Sequence, residues 1–328
     1  MVKFGIEFVP GTCSVKQVVD YSIMADQANI DFAWITNLYN HRHYSLVLGA
    51  IAQATDRIKM GPAVLNFFSE TPAMMASFYC TLNEMSQGRA VMGIGPGDLS
   101  TLNRLAIQTE KPIDRVLEGV AIFRRLCMGQ EITHQEEFEF FDYDGVKLTG
   151  VELPDDILVY IGAQGPKMFE MAGAIGDGAL INASNLSDFE VAVPRVREAC
   201  AEVGKNRFDI GAYTALSIDL NEEKARRAGK IVAAFIAAGS PLPLLERHGI
   251  DPYQVRKIKD AIVQRDFQTV GRLVTDNIID AFTISGGPDT VRQKIDELQR
   301  AGVTQVIFGS PLGPDIGNSI RILGKYVI

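Results

Sequence analysis

Eight short apolar strand signals, alternating with amphipathic helical stretches along 328 residues, predict an α/β protein with a (β/α)8 TIM-barrel fold. Two further observations favour a closed sheet over a doubly wound one. The last strand signal stands at residues 305–309, close to the end of the chain. No Gly-rich turn follows the first strand, where a dinucleotide-binding sheet would carry one. The strand candidates are residues 2–10, 32–36, 59–66, 90–95, 157–163, 178–183, 209–218 and 305–309. Most are apolar almost throughout rather than alternating, as parallel strands covered on both faces are.

Helix signals lie between them. Thr71 followed by Pro72 reads as a cap with proline at the first helical position; Met75, Phe78, Leu82 and Met85 form its apolar face, and Met74 also reads as core. Residues 187–204 repeat the rhythm through Phe189, Val193, Val196, Cys200 and Val203, with Pro194 expected to delay or kink the start. Pro288 opens a helix striped by Val291, Ile295, Leu298 and Ala301 and closed by Gly302. Two segments break the alternation. Residues 138–148 carry Asp144-Gly145 between apolar runs, a hairpin signal. Residues 221–280 are almost all helical pattern, interrupted by Pro241, Pro243, Gly249 and Pro252. The reading is therefore one domain over 1–328, with insertions after strands four and seven.

Apolar residues make up 47% and charged residues 22%, which excludes a disordered chain. A net charge of −8 argues against non-specific nucleic-acid binding, which rests on Lys and Arg. Cys13, Cys80, Cys127 and Cys200 form no CxxC pair, the pattern of a reducing compartment. The first residues read as a strand rather than a secretion signal, and the apolar run 231–238 is too short to span a bilayer. A cytoplasmic protein without nucleic-acid or membrane partners is expected.

In a barrel, functional residues belong at the C-terminal strand ends. Glu7 stands in an otherwise apolar first strand, where a carboxylate must be paired or used. Gly93-Ile-Gly95-Pro-Gly97-Asp98 follows the fourth strand; its glycines permit close approach to a ligand, but the spacing is neither a Rossmann fingerprint nor a P-loop. Glu7 and Asp98 at one mouth would raise the pKa of one of the two and make it a proton donor. Gly162-Ala-Gln164-Gly165-Pro166, with Lys167 beside it, opens a helix and reads as an anion site. Asn182-Ala-Ser184-Asn185 repeats the small, polar pattern one strand later. His41-Arg42-His43 lacks the carboxylate or Cys cluster of a metal site and reads as a solvated loop or a cofactor-tail contact. His248 reads as a helix-end histidine.

The strand ends together resemble a known family. Phe4-Gly-Ile-Glu7-Phe-Val-Pro10, Trp34-Ile-Thr36, Gly93 to Asp98, Ile161-Gly-Ala-Gln-Gly-Pro166, Asp177-Gly-Ala-Leu-Ile-Asn-Ala-Ser184, Ala237-Ala-Gly-Ser-Pro241, Glu246-Arg-His-Gly249 and Gly302-Val-Thr-Gln are similar to the methylenetetrahydromethanopterin reductases. These are archaeal enzymes of the bacterial-luciferase-like superfamily. The resemblance implies coenzyme F420, with FMN as the alternative cofactor. It implies hydride transfer to methylenetetrahydromethanopterin or a related pterin in one-carbon metabolism and methanogenesis, and a homo-oligomer. Carried over residue by residue, it places Glu7 and Asp98 at the pterin. Ala63, Val64 and Asn66 fall on a bulged third strand with a non-proline cis peptide behind the deazaflavin ring. Asn37 falls beside the ring, Gln164, Gly165, Lys167 and Met168 toward the phosphate tail, and Thr36, Gly97 and Asn182 among the cofactor-binding positions.

Two stretches depart from the family. After Thr36 the family continues Asp-His-Tyr-Asn, whereas this chain has Asn37-Leu38-Tyr39-Asn40. The bulge reads Gly61-Pro-Ala63-Val-Leu65-Asn-Phe67 in place of the family's glycine then Thr-Asn-Pro. A luciferase-like paralogue with another substrate, or a non-catalytic cofactor-binding paralogue, therefore stays open on sequence.

Overall fold

The computed structural model describes residues 2–133 and 139–328. Nine strands follow in chain order: β1 (Lys3–Phe8), β2 (Phe32–Ile35), β3 (Lys59–Pro62), β4 (Met92–Ile94), β5 (Val159–Ala163), β6 (Gly178–Asn182), β7 (Asp209–Ile218), β8 (Ile284–Gly286) and β9 (Gln305–Leu312). All strand pairs are parallel, in the order β3-β2-β1-β9-β7-β6-β5-β4. Parallel bridges Met60–Ala90 and Leu65–Ile94 join β3 to β4 and close the ring. The eight strands expected from sequence are the eight of this barrel. β8 was not expected: its three residues, Ile-Ser-Gly, give no apolar run. It pairs with the far end of β7, through Leu216–Ile284, outside the closed ring.

Two cores hold the barrel. Between strands and helices lies the main one, with Ile6, Ile35, Met60, Ile94, Ile161 and Phe308 among its fully buried members. Inside the ring, Phe32, Trp34, Val91, Tyr160, Leu180 and Ile307 fill the lower part. Trp34 packs edge-on against Tyr160 at 5.3 Å between ring centroids. These aromatics plug the barrel, so only its C-terminal end is open to a ligand.

Helix starts follow the local chemistry. Thr71 accepts from Met74 N with Pro72 at the first helical position. Of the expected face, Met75 and Leu82 are buried, but Met74 is 65% and Met85 38% exposed. Met74 belongs to the outer side of that helix, not to the core. The helix Leu186–Glu202 starts at its Asn185 cap and continues through Pro194, so the proline does not delay it. Pro194 lies on the exposed side, where water can take the carbonyl that its missing N–H leaves free.

The segment after β7 holds five helices, Glu222–Gly239, Leu242–Arg247, Pro252–Val263, Phe267–Leu273 and Asp276–Phe282. They share a core of their own around Ala233, Leu245, Ile258, Val270 and Ile278. Its prolines sit in the opening turns of helices rather than in helix interiors. Of the expected hairpin at 138–148, Phe138 lies outside the described residues; among the described residues Val146 makes an antiparallel bridge to Ile132, upstream of the Asp144-Gly145 turn. Among the described residues no helix is long and apolar enough to cross a membrane.

Candidate active site

At the C-terminal end of the barrel the strand ends surround two adjoining lobes of about 560 Å³ each. The two volumes together suit a multi-ring ligand that spans both lobes and a second ligand beside it. The first lobe is lined by Gly162, Gln164, Met168, Leu180, Asn182 and Tyr213. The second is lined by Thr36, Asn37, Leu38, His41, Tyr44, Asn66 and Glu70. Ala63, Val64, Gly97 and Asp98 line both and form the wall between them.

That wall is a bulge. β3 ends at Pro62, the Ala63–Val64 peptide is cis, and Leu65 rejoins the sheet. Backbone bonds fix both sides: Ala63 N donates to Ile35 O, Leu65 N to Gly93 O, and Gly95 N to Leu65 O, each at 2.9 Å. The Val64 side chain fits where Gly95 and Gly162 have none; a Cβ on either would approach it to 2.9 and 3.2 Å. Gly97 adopts φ +84°, a conformation other residues rarely take, and turns the chain into the short helix Leu99–Arg104.

The two expected acids are arranged differently. Glu7 is half-buried and accepts from Thr36 Oγ1 on Oε1 at 2.7 Å and from Ser310 N on Oε2 at 2.9 Å. Its partners thus come from the ends of β2 and β9. Glu7 itself lines neither lobe; Thr36 and Tyr213, on either side of it, do. Asp98 caps the helix Leu99–Arg104, accepting from Thr101 Oγ1 at 2.5 Å, Thr101 N at 2.9 Å and Ser100 N at 3.3 Å. The Thr101 hydroxyl, followed by the backbone N–H groups, holds its carboxyl below the usual carboxylate range. Of the expected pair, Asp98 is therefore not the acid whose pKa is raised. It stays ionised because the helix start, not Glu7, is its partner.

The other expected residues divide by place. Thr36, Asn37 and Asn66 face the second lobe, Gln164, Met168 and Asn182 the first, and Ala63, Val64 and Gly97 both. Asn66 uses its carbonyl oxygen locally, accepting from Phe68 N, Ser69 N and Ser69 Oγ at 3.0 to 3.2 Å. Gly165 and Lys167 line neither lobe. They stand at the start of the helix Pro166–Ile175, which no side chain caps, so its first N–H groups remain available to an anion.

Sequence reasoning missed three residues, Tyr213, Tyr44 and Glu70. Tyr213 projects into the first lobe, and burial, then the Glu7 carboxylate beside it, hold its phenol well above the ordinary value. Tyr44 donates to both oxygens of Glu70, at 2.7 and 2.9 Å, and burial followed by that bond raises its pKa too. Of the two readings of His41, the structure departs from the solvated loop: its ring packs under Gly11, its Nδ1 is buried, and it lines the second lobe, where a ligand contact is open to it. The signal for Tyr213 was present as the one polar aromatic in the run Ile-Gly-Ala-Tyr-Thr-Ala-Leu of β7. His248 is a helix C-cap as expected, but its Nε2 reaches Asp188 at 3.2 Å and, with Arg247, ties the insertion to the barrel. No group of metal-ligating side chains occurs among the described residues.

A closed parallel barrel with its cavity at the C-terminal strand ends defines an enzyme-type scaffold, and the luciferase-like monooxygenase family profile matches residues 4–305. The 5,10-methylenetetrahydromethanopterin reductase of Archaeoglobus fulgidus is 45% identical over 100% of this chain and 99% of its own length. That of Methanolobus tindarius is 41% identical over 99% of each. The solved structure of the coenzyme F420-dependent tetrahydromethanopterin reductase from Methanopyrus kandleri superposes with a TM-score of 0.93 at 38% identity, covering 99% of this chain and 98% of that one. The chain belongs to the 5,10-methylenetetrahydromethanopterin reductase family within the luciferase-like barrels.

Proposed function

We propose that the protein transfers a hydride between reduced coenzyme F420 and methylenetetrahydromethanopterin, giving the methyl form. The observation that carries this reading is the pair of ligand-sized lobes meeting at one bulged wall, in a chain similar over its whole length to reductases of that name. Two buried polar atoms without partners, Tyr213 OH in one lobe and His41 Nδ1 in the other, fit a site completed by two bound molecules. Reduced F420, when bound, supplies the hydride. Ala63, Val64, Thr36, Asn37, Asn66 and Gly97 would hold the ring, and Gln164, Gly165, Lys167, Met168 and Asn182 would hold the tail.

The chain's own chemistry lies at the pterin. Opening the bridged one-carbon unit breaks a carbon–nitrogen bond, so the departing nitrogen needs a proton and the remaining iminium needs a compensating charge. Glu7 is the proton source. Asp98, ionised and on the rim of both lobes, stabilises the cation. The lobes adjoin at Ala63, Val64, Gly97 and Asp98, and residues there would hold the two ring systems in contact, which supplies proximity. The same reading expects a cytoplasmic homo-oligomer.

The test is turnover by purified protein with reduced F420 and the methylene pterin, followed by return of the oxidised deazaflavin absorbance. Turnover with F420 and none with reduced FMN is the expected result. Absence of turnover with F420, or turnover with FMN alone, contradicts the reading.

A further inference from the structure

Glu7 is set back from both lobes, and a proton leaving it must cross another side chain. Three groups touch or flank it: Ser310 N, which is a backbone donor, and the hydroxyls of Thr36 and Tyr213. Thr36 Oγ1 already donates its proton to Glu7 and looks onto the second lobe. Tyr213 looks onto the first lobe, its hydroxyl is buried, and it makes no hydrogen bond of regular geometry among the described residues. A buried hydroxyl left so costs about 1–3 kcal/mol unless a ligand atom completes it. Tyr213 is therefore built to bond to something that enters the first lobe while its oxygen stays beside Glu7.

Resting on the hydride-transfer reading above, we propose that Tyr213 is the catalytic residue facing the departing nitrogen, and that Glu7 acts through it. In this step the carbon–nitrogen bond breaks and its electron pair stays on nitrogen. Nitrogen takes the phenolic proton as the Tyr213 oxygen takes the proton of Glu7. Tyr213 ends neutral, Glu7 ends as a carboxylate, and solvent reprotonates it before the next turnover. Passing the proton on, rather than parting with it, suits a phenol whose ionised form is disfavoured by burial.

Tyr213→Phe keeps the ring that packs with the barrel interior and removes only the hydroxyl. The expected result is a kcat loss of about 10²-fold, with F420 affinity by fluorescence titration and the KM for the pterin within about threefold of wild type. Loss of the wild-type solvent deuterium isotope effect on kcat should accompany it, a change that a structural role would not cause. A Tyr213→Phe rate within about threefold of wild type overturns the proposal. So does a rate loss matched by an equal loss of F420 affinity. A collapse in Thr36→Val with normal Tyr213→Phe routes the proton into the second lobe and likewise overturns it. Wild-type turnover is measured in the same series: if it is absent, the hydride-transfer reading itself falls and Tyr213 falls with it. If it is present, only the variants decide the role of Tyr213.

Discussion

Glu7 and Asp98 both stand at C-terminal strand ends of one barrel, yet they are held in opposite ways. Every partner of Asp98 lies within three residues of it, on the helix that it caps. The partners of Glu7 come from β2 and from the end of β9, and Tyr213 of β7 flanks it. A local cap fixes a carboxylate as an ionised structural group with an exposed face. A network assembled from several strands buries a carboxylate between two cavities and links it to both. The difference teaches that position at a barrel mouth does not by itself make an acid a proton donor; the source of its partners does.

The largest expected effect belongs to the network. Glu7→Ala leaves the Ser310 N–H and the Thr36 hydroxyl without their acceptor. It should lower turnover by ~10²-fold or more and destabilise by roughly 1–3 kcal/mol in denaturant melts. Next comes the anion site, which neither acid touches. Lys167→Ala should weaken F420 about tenfold, the scale of one charge-assisted bond, more at low salt than at high, with an unchanged melting curve. Equal weakening at all salt concentrations would place the phosphate elsewhere.

The cap should show smaller, structural effects. Asp98→Ala should cost about 1 kcal/mol of stability, read as a lower denaturation midpoint, and Asp98→Asn much less, because Asn caps equally well. The smallest effect is the pH dependence of that cap. The folded carboxyl titrates below its unfolded value near ~3.9, so its contribution is present above that pH and is lost as pH falls through the depressed folded value. Wild type minus Asp98→Asn should therefore show a stability difference that fades only below about pH 4. A difference that instead vanishes between about pH 5 and 7 would mean a raised, catalytic-type carboxyl.

Much of this was legible in the sequence because parallel strands buried on both faces announce themselves as apolar runs, and all eight barrel strands did. β8 was invisible, since three residues including Ser285 and Gly286 carry no pattern and acquire strand geometry only by lying along β7. The mouth residues were legible by position, and the bulge at Ala63–Val64 by resemblance. What sequence does not display is which neighbour each side chain meets. Asp98 carries the N-cap pattern of a helix start, with Ser100 and Thr101 as its donors, and that local signal is as strong as its position at the mouth. Tyr213 and His41 gain meaning only when β7 closes against β1 across β9, and when Gly11 lies over the His41 ring.

Glu7→Gln and Asp98→Asn, assayed side by side with reduced F420 and the methylene pterin, put the contrast between the two acids to trial. Each change removes one ionisable proton and keeps the side-chain shape. The structure predicts that Glu7→Gln loses ~10²-fold or more in kcat with F420 affinity intact, and that Asp98→Asn stays within about tenfold of wild type, since an exposed charge on the rim contributes far less than a buried one. Equal losses in the two variants, or the larger loss in Asp98→Asn, would contradict it.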